Sequence, residues 1–274
     1  MTARVIFRLV YTGQQITHVT PSYETELQTV ANAVGMSQRI IVATGAGIST
    51  SAGVPDFRSH KRFVKTREIF YETALSHPSD GPVLVKLCTE LFKAAKASLP
   101  TETHRFINEL NAKGRLVRHY TQNIDCLEDK AGLSTDLRLG PGGYRVRGVE
   151  CVPLHGSLRS LRCVSCRQSC SWDEREAITS AGKLPTFPAC PKTTVRGRQI
   201  RPGLLRPDIL LYGELDPRAD SISKVIRYDL SLDLDLLLIL GTSLQVHVFR
   251  KLMKQFAKVV YKNKGLVLFI NRGT

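Results

Sequence analysis

Short runs of consecutive apolar residues, each cut off by a polar loop, set the rhythm of this chain. RIIVAT (Arg39 to Thr44) stops at the glycine-rich GAGISTSAG and LDLLLIL, around Asp235, at GTSL, while the mixed LVRHY (Leu116 to Tyr120) reads as a further strand, followed by TQNID. Apolar runs of this length without alternation predict strands covered on both faces. Residues 1–37 read as a strand-like start followed by a polar helix ending near Gly35. From Phe57 to about Leu99 the pattern predicts helices with basic loops, closed by Pro100. Thr101 and Thr103 are candidate N-caps for the helix THRFINELNAKG, and Gly114 is its stop. GPGGYRVRG reads as a turn, and VECVPLHG as a strand entering a loop. ILLYGE resumes regular structure, a helix is predicted near 218–229, and another runs through Phe249 and Phe256 before the final strand, GLVLFINRG.

Strands alternating with helices predict an α/β fold, a doubly wound, Rossmann-like parallel sheet. Three polar loops, GAGIS, QNID and GTSL, directly follow strands, where such sheets bind ligands. The window from Ser157 to Pro207 differs, being rich in Cys, Arg, Pro and Gly, and reads as an insert between two halves of the sheet.

Composition narrows the class. With 274 residues, 42% hydrophobic and 23% charged, the chain folds and is neither collagen-like nor disordered. Its 39 Lys and Arg against 24 acidic residues, a formal charge of +15, favour residence near polyanions, or serve equally to keep a surface soluble. Four of the seven cysteines crowd into Cys163 to Cys190, which fits local metal binding in a reducing compartment better than a disulfide scaffold. Arg8 breaks the one apolar run near the N-terminus, and nothing approaches the ~18 apolar residues of a membrane span. The expectation is an intracellular protein, neither secreted nor membrane-bound.

The chemistry-bearing residues are ambiguous one at a time. Gly45-Ala46-Gly47 after a buried strand suits close approach to a pyrophosphate, yet serves as well for a plain tight turn. Thr50 stands where a dehydrogenase has its third glycine, and LVRHY ends without an acid for a ribose diol, which disfavours an ordinary dehydrogenase. His155 alone would read as a structural histidine, and Asp125 could merely cap the following helix. Leu210 and Tyr212 would line a core in any case. His104 and His119 read as structural or surface residues, and the arginines at 159, 162, 167, 196, 198 and 201 as a solvated face.

Taken in series, GAGISTSAGVPDFRS, YTQNID, LHGS, CxxC, LRPDILLYGE, GTSL and FINR resemble the sirtuin family of NAD-dependent protein deacylases, from about residue 38 onward. The wording CVPLHGSLRSLRCVSC and TQNIDCLE is most similar to a fungal nuclear branch that acts on histones. The resemblance implies NAD-binding roles for Gly45, Ala46, Gly47 and Ser49 (phosphate loop) and for Asp56, Phe57 and Arg58 (closure over the nicotinamide ribose). It implies the same for Gln122, Asn123, Ile124 and Asp125 (nicotinamide and ribose), Gly241, Thr242 and Ser243 (adenosine half), and Asn271 and Arg272 (adenosine ribose). His155 would be the catalytic base, with Asn123 holding a ribose hydroxyl or a water. Leu210, Tyr212 and Gly213 would form the acyl-lysine tunnel and peptide-pairing strand. The implied reaction breaks the nicotinamide–ribose bond, moves acetyl from lysine to ADP-ribose, and needs a base near neutrality, which histidine supplies.

The resemblance further implies a small zinc-binding domain. Cys163-Val-Ser-Cys166 is one half of the family's zinc site, but the second half retains only Cys190, with Thr193 in the fourth place. Cys170 is the expected substitute, making Cys163, Cys166, Cys170 and Cys190 a structural zinc site. After PDFRS the chain passes straight to HKRFVKTREIF where the family has a longer closing loop, and it stops at Thr274, short of the family's adenine-covering segment. The expected organisation is an NAD-binding domain of residues 30–57, 105–157 and 206–274, a helical and zinc domain of 58–104 and 158–205, and an N-terminal extension, 1–29. The expected activity is histone deacetylation in the nucleus, with non-specific DNA contact. A catalytically weak recruitment module of chromatin and a protein ADP-ribosyltransferase are the alternatives.

Overall fold

The computed structural model describes residues 5–9, 24–55, 67–142, 147–187, 190 and 203–272. Among these residues the larger sheet contains β1 (Val5–Leu9), β2 (Ile40–Thr44), β3 (Leu116–Thr121), β4 (Cys151–Pro153), β8 (Leu236–Leu240) and β9 (Leu266–Arg272). Its order is β1-β9-β8-β2-β3-β4, parallel except for β1, which pairs antiparallel with β9 from Val5↔Arg272 to Leu9↔Leu268. The segment expected to be an extension thus contributes an edge strand.

The buried strands need no alternation of polarity because both faces are covered. Along β2, Ile41 and Ala43 join one core while Ile40 and Val42 join another; along β8, Leu237 and Ile239 oppose Leu236, Leu238 and Leu240 in the same way. The first core is closed by α6 (Ala219–Leu230) and α7 (His247–Lys262), through Ile222, Val225, Phe249, Met253 and Phe256. The second is closed by α1 (Glu24–Met36) and α3 (Glu102–Ala112), through Val30, Ile107 and Leu110. Thr101 caps α3 in a capping box whose second member is His104, and Gly114 follows the helix at φ +68°.

A second, three-stranded antiparallel sheet has the order β6 (Ser169–Ser171), β5 (Gly156–Cys163), β7 (Leu205–Ile209). With α2 (Asp80–Ala97) it encloses a third core containing Leu84, Leu91, Leu161, Trp172 and Leu205, where the Phe92 and Trp172 rings stack at 4.9 Å. Among the described residues there are also two short α-helices, α4 (Leu127–Lys130) and α5 (Glu176–Ser180). Two expectations shift here. The cysteine window opens on an eight-residue strand with a register shift, and the strand expected at ILLYGE begins four residues earlier, as β7, and ends at Ile209. Simple alternation does not reveal β5, because a register shift between Gly156 and Leu161 lets Leu158 and Leu161, three residues apart, both face the core.

Candidate active site

The C-terminal ends of β2, β3, β4 and β8 open into one cleft of about 2840 Å³. Gly45, Ala46 and Gly47 enter it from β2, Gln122, Asn123 and Ile124 from β3, His155 from β4, and Gly241, Thr242 and Ser243 from β8; Asn271, near the end of β9, also lines it.

The two glycine loops cross in near contact. A β-carbon on Gly47 would lie 2.8 Å from the Gly241 α-carbon, and one on Gly45 would lie 2.8 Å from the Thr242 β-carbon. The N–H of Gly47 donates to the Gly241 carbonyl at 2.9 Å, and that of Gly45 to the Leu240 carbonyl at 3.2 Å. With Ile48 and Ser49 bonded back into the loop as well, Ala46 is the residue whose N–H is not spent this way. Glycine is therefore required here first for close approach of the two loops. Gln122 donates to the Thr242 hydroxyl at 2.8 Å and ties β3 to the cradle they form.

His155 is fixed by one hydrogen bond. Its Nδ1 lies 3.1 Å from the Gln122 carbonyl oxygen, which can only accept, so Nδ1 carries the proton and Nε2 keeps its lone pair. Burial pulls the imidazole below its ordinary pKa, opposed by that hydrogen bond and by Asp216, with Arg218 pulling the same way as burial. The ring is thus neutral at pH 7, as a base must be. Asp216 and Arg218 pair at 2.9 Å and went unnoticed in the sequence, where LDPRAD carries no distinguishing pattern.

Behind Asn123 a hollow of about 20 Å³ is lined by Ser49, Asn123, Ile124, Asp125 and Leu158, among others. Asn123 donates to the Ser49 hydroxyl at 3.1 Å, and Asp125 accepts the Leu127 N–H at 3.0 Å, so the capping role exists alongside any ligand contact. Burial raises the Asp125 carboxyl, while hydrogen bonds from Ser49 and Leu127 oppose that shift.

The opposite wall is the segment after β7. The Leu210 N–H donates to the His155 carbonyl at 2.8 Å, Leu210 lines the cleft, and Leu211 turns into the third core. Arg206 pairs with Glu214, whose carboxylate also accepts the Leu211 N–H at 3.0 Å, and this clamps the segment. Tyr212 is no core residue: it is 44% exposed and lies against Tyr71, ring centroids 5.5 Å apart, where the two residues form a parallel bridge. Gly213 follows at φ +91°.

Three of the four expected metal ligands meet. The sulfurs of Cys163, Cys166 and Cys190 lie within 4.8 Å of one another, and Cys163 and Cys190 are 3.8 Å apart. Sulfurs at about 2.3 Å from one tetrahedral ion sit about 3.8 Å apart, so this geometry fits three corners of a zinc site. Burial works to raise the Cys163 thiol, but N–H groups of Cys166 and Ser165 turned towards its sulfur bring it below the ordinary value. Cys170 is a correction. It pairs opposite Leu161 on β6, its thiol is directed at the Ser171 carbonyl, and it is not a member of the cluster. Its place on β6 fixes the side chain outside the cluster.

Asp56, Phe57 and Arg58, the segment after Ser59, and Thr193 lie outside the described residues, as does the side chain of Arg272. Arg196, Arg198 and Arg201 lie outside them too. Of the expected solvated arginines, Arg162 is instead paired with Asp208 at 2.8 Å.

The model of the Sir2 family matches residues 45–248. The NAD-dependent histone deacetylase HST3 of Candida albicans is 32% identical over 272 residues, covering 90% of this chain and 56% of its own. HST4 of Saccharomyces cerevisiae, also named an NAD-dependent histone deacetylase, is 34% identical over 262 residues, covering 88% of this chain and 69% of its own. The chain thus spans little more than half the length of the HST3 relative. Among solved structures, the NAD complex of a Sir2 homologue superposes with a TM-score of 0.61 at 26% identity, covering 88% of this chain and 80% of the other.

Proposed function

We propose, from the premise that this chain belongs to the Sir2 family, that it removes acetyl groups from protein lysines with NAD as co-substrate. The observation that carries this reading is His155, a neutral imidazole with Nε2 free, held between the glycine cradle and the Leu210–Gly213 wall. NAD, when bound, supplies the nicotinamide–ribose bond that breaks and the ADP-ribose that accepts the acetyl group. Gly45, Ala46, Gly47, Ser49, Gly241, Thr242, Ser243, Asn271 and Arg272 hold its phosphates and adenosine. Gln122, Asn123, Ile124 and Asp125 would receive the nicotinamide end; Asp56, Phe57 and Arg58, to which the resemblance gives a part there, lie outside the described residues. His155 takes the proton released as a ribose hydroxyl becomes the acetyl acceptor, and Leu210, Tyr212 and Gly213 hold the acyl-lysine. A neutral amide side chain enters such a wall more readily than a bare ammonium, whose desolvation is costly.

Histones are the substrate in this reading, supported by the names of the HST3 and HST4 relatives, and the nucleus is the compartment because that is where histones are met. A basic tail gains nothing from a chain of charge +15, so the target is presented on DNA. Support comes from α7, whose apolar face is consumed by the first core while Arg250, Lys251, Lys254 and Lys258 stand exposed with no acidic residue on the helix. The cysteine cluster holds a structural zinc through Cys163, Cys166 and Cys190, and the small sheet with α2 forms a domain distinct from the NAD-binding one.

Incubation with NAD and an acetylated histone peptide, followed by mass spectrometry, tests the reading. Acetylated ADP-ribose together with nicotinamide supports deacetylation. ADP-ribosylated protein would replace it with a transferase, and absence of both products with a recruitment module.

A further inference from the structure

Directly beneath the Asn123–Asp125 loop lies a buried polar cluster that the reaction as described does not use. Glu128, on α4, is 2% exposed, and its Oε1 has no hydrogen-bond partner. A carboxylate oxygen of Glu128 lies within 4.8 Å of both Asp125 and His104, and Glu128 also groups with His119 and Cys151 at that distance. Residues from α3, β3, β4 and the loop therefore converge on one carboxyl group.

None of these neighbours is a cation. The Thr101 hydroxyl donates to the Ile48 carbonyl at 2.9 Å, and Nδ1 of His104 accepts the Thr101 N–H at 3.2 Å. That assignment puts the His104 proton on Nε2, an unpartnered buried donor. On the other side, the Thr44 hydroxyl donates to Thr121 at 3.0 Å and therefore accepts from Nε2 of His119 at 2.7 Å, which leaves the His119 Nδ1 bare. Burial lowers His104 to about 4 and His119 to about 3, the latter also through His104, so both rings are neutral. Burial likewise keeps the Cys151 and Cys126 thiols protonated. The Lys130 ammonium is turned away onto the carbonyls of Ala95, Lys96 and Ser98, and Asp129 is engaged by Thr135 and Arg159.

Two carboxyl groups so close and buried, with no cation bonded to either, do not both ionise at neutral pH. Each carboxyl has two donors, the Ser49 hydroxyl and Leu127 N–H at Asp125 and the Thr121 hydroxyl and its own N–H at Glu128, but the Lys130 charge favours the anion at Asp125 alone. The geometry points to Glu128 as a positioning residue that holds a proton at neutral pH, so that Asp125 remains the single ionised carboxylate under the cleft. Burial first, and then the Asp125 charge, raise Glu128 to about 8. Thr121 transmits the arrangement upward, because its hydroxyl oxygen also accepts the Asn123 N–H at 3.1 Å. Ionisation of Glu128 places a second negative charge against Asp125 and pushes apart the loop that carries Asn123.

This inference rests on the deacetylase reading for its kinetic consequence, not for the protonation itself. Glu128→Gln is the same shape as the protonated acid and cannot ionise. Measured against each protein's own value at pH 7, wild-type kcat/KM for NAD should fall roughly tenfold by pH 9, and that of the variant should not. The second measurement needs no turnover. A raised acid gives stability that is complete below its unfolded value of about 4.5 and is lost as pH rises through about 8. The melting temperature of the wild type should therefore fall relative to Glu128→Gln between pH 5 and 8, and run parallel to it above. Infrared difference spectra of the wild type should show a buried protonated acid at pH 7 that Glu128→Gln lacks. Absence of that band, or parallel melting curves throughout, overturns the inference. Inactive protein with the band and the melting difference intact overturns the deacetylase reading instead, and parallel alkaline kinetics in two active proteins removes Glu128 from the reaction.

Discussion

Gly241→Ala probes the contact on which the floor of the cleft depends. Gly241 sits at φ +60°, and a β-carbon there would lie 2.6 Å from the Ile48 nitrogen and 2.9 Å from the Gly47 carbonyl carbon. Left-handed backbone costs a non-glycine residue about 1–2 kcal/mol. Forcing a methyl group against packed backbone adds about 1–3 kcal/mol. Gly114→Ala isolates the first cost, because Gly114 has φ +68° and nothing within 4 Å of its would-be β-carbon. Urea denaturation should accordingly give losses of about 2–5 kcal/mol for Gly241→Ala and about 1–2 kcal/mol for Gly114→Ala, at a common m-value. Because relief of the clash moves the GTSL loop off the GAG loop, Gly241→Ala alone should weaken NAD binding, measured calorimetrically, by roughly tenfold or more. Equal losses in the two variants with NAD binding intact would refute the reasoning, since strain alone would then account for the glycine.

Asp229→Ala should destabilise the fold by about 3–5 kcal/mol, because it strands a buried guanidinium. Arg118 is bound to Asp229 at 2.9 and 3.0 Å, Tyr120 donates to the same carboxylate at 2.6 Å, and the Pro141 carbonyl would be the remaining acceptor for Arg118. The melting temperature should drop by roughly 6–20 °C, and the joint change Arg118→Met, Asp229→Leu and Tyr120→Phe, which also removes the stranded hydroxyl, should recover most of it; a joint variant as unstable as the single one contradicts this. His155 works as a base only when neutral, and burial holds it below 6.5, so the acid limb of the pH–rate profile should lie below about pH 6.5. A limb centred above pH 7 would assign the base elsewhere. Metal analysis of chelator-washed protein should give about one zinc per chain, lost in Cys163→Ser and in Cys190→Ser but kept in Cys170→Ser; loss in Cys170→Ser would return that residue to the site.

The strands were legible because a buried parallel strand carries its own signal, four or five apolar residues ended by a turn, as in β2 and β8. The GAG, QNID, LHGS and GTSL loops were legible because each has a fixed place after a strand. Strand β5 and the fate of Cys170 were not, since a register shift within β5 breaks its alternation and a CxxC spacing says nothing of which strand a third cysteine occupies.

Strand β3 divides what the sequence settled from what folding alone decided. Leu116–Thr121 announces a strand leading into Gln122, Asn123 and Asp125, and local chain geometry suffices for that. Its alternation then sends Arg118 and Tyr120 to the face covered by α6, where they meet Asp229, 111 and 109 residues away. His119 and Thr121 go to the other face, beside Thr44, Cys151 and Glu128, with His104 on Glu128's other side. Read in sequence, these are four polar residues in a short strand with no stated purpose. Sheet order chose their partners: β2 and β4 flank β3, and the crossovers lay α3 on one face and α6 on the other. Hydrogen bonding and burial depend on neighbours in space, whereas periodicity records only neighbours in the chain.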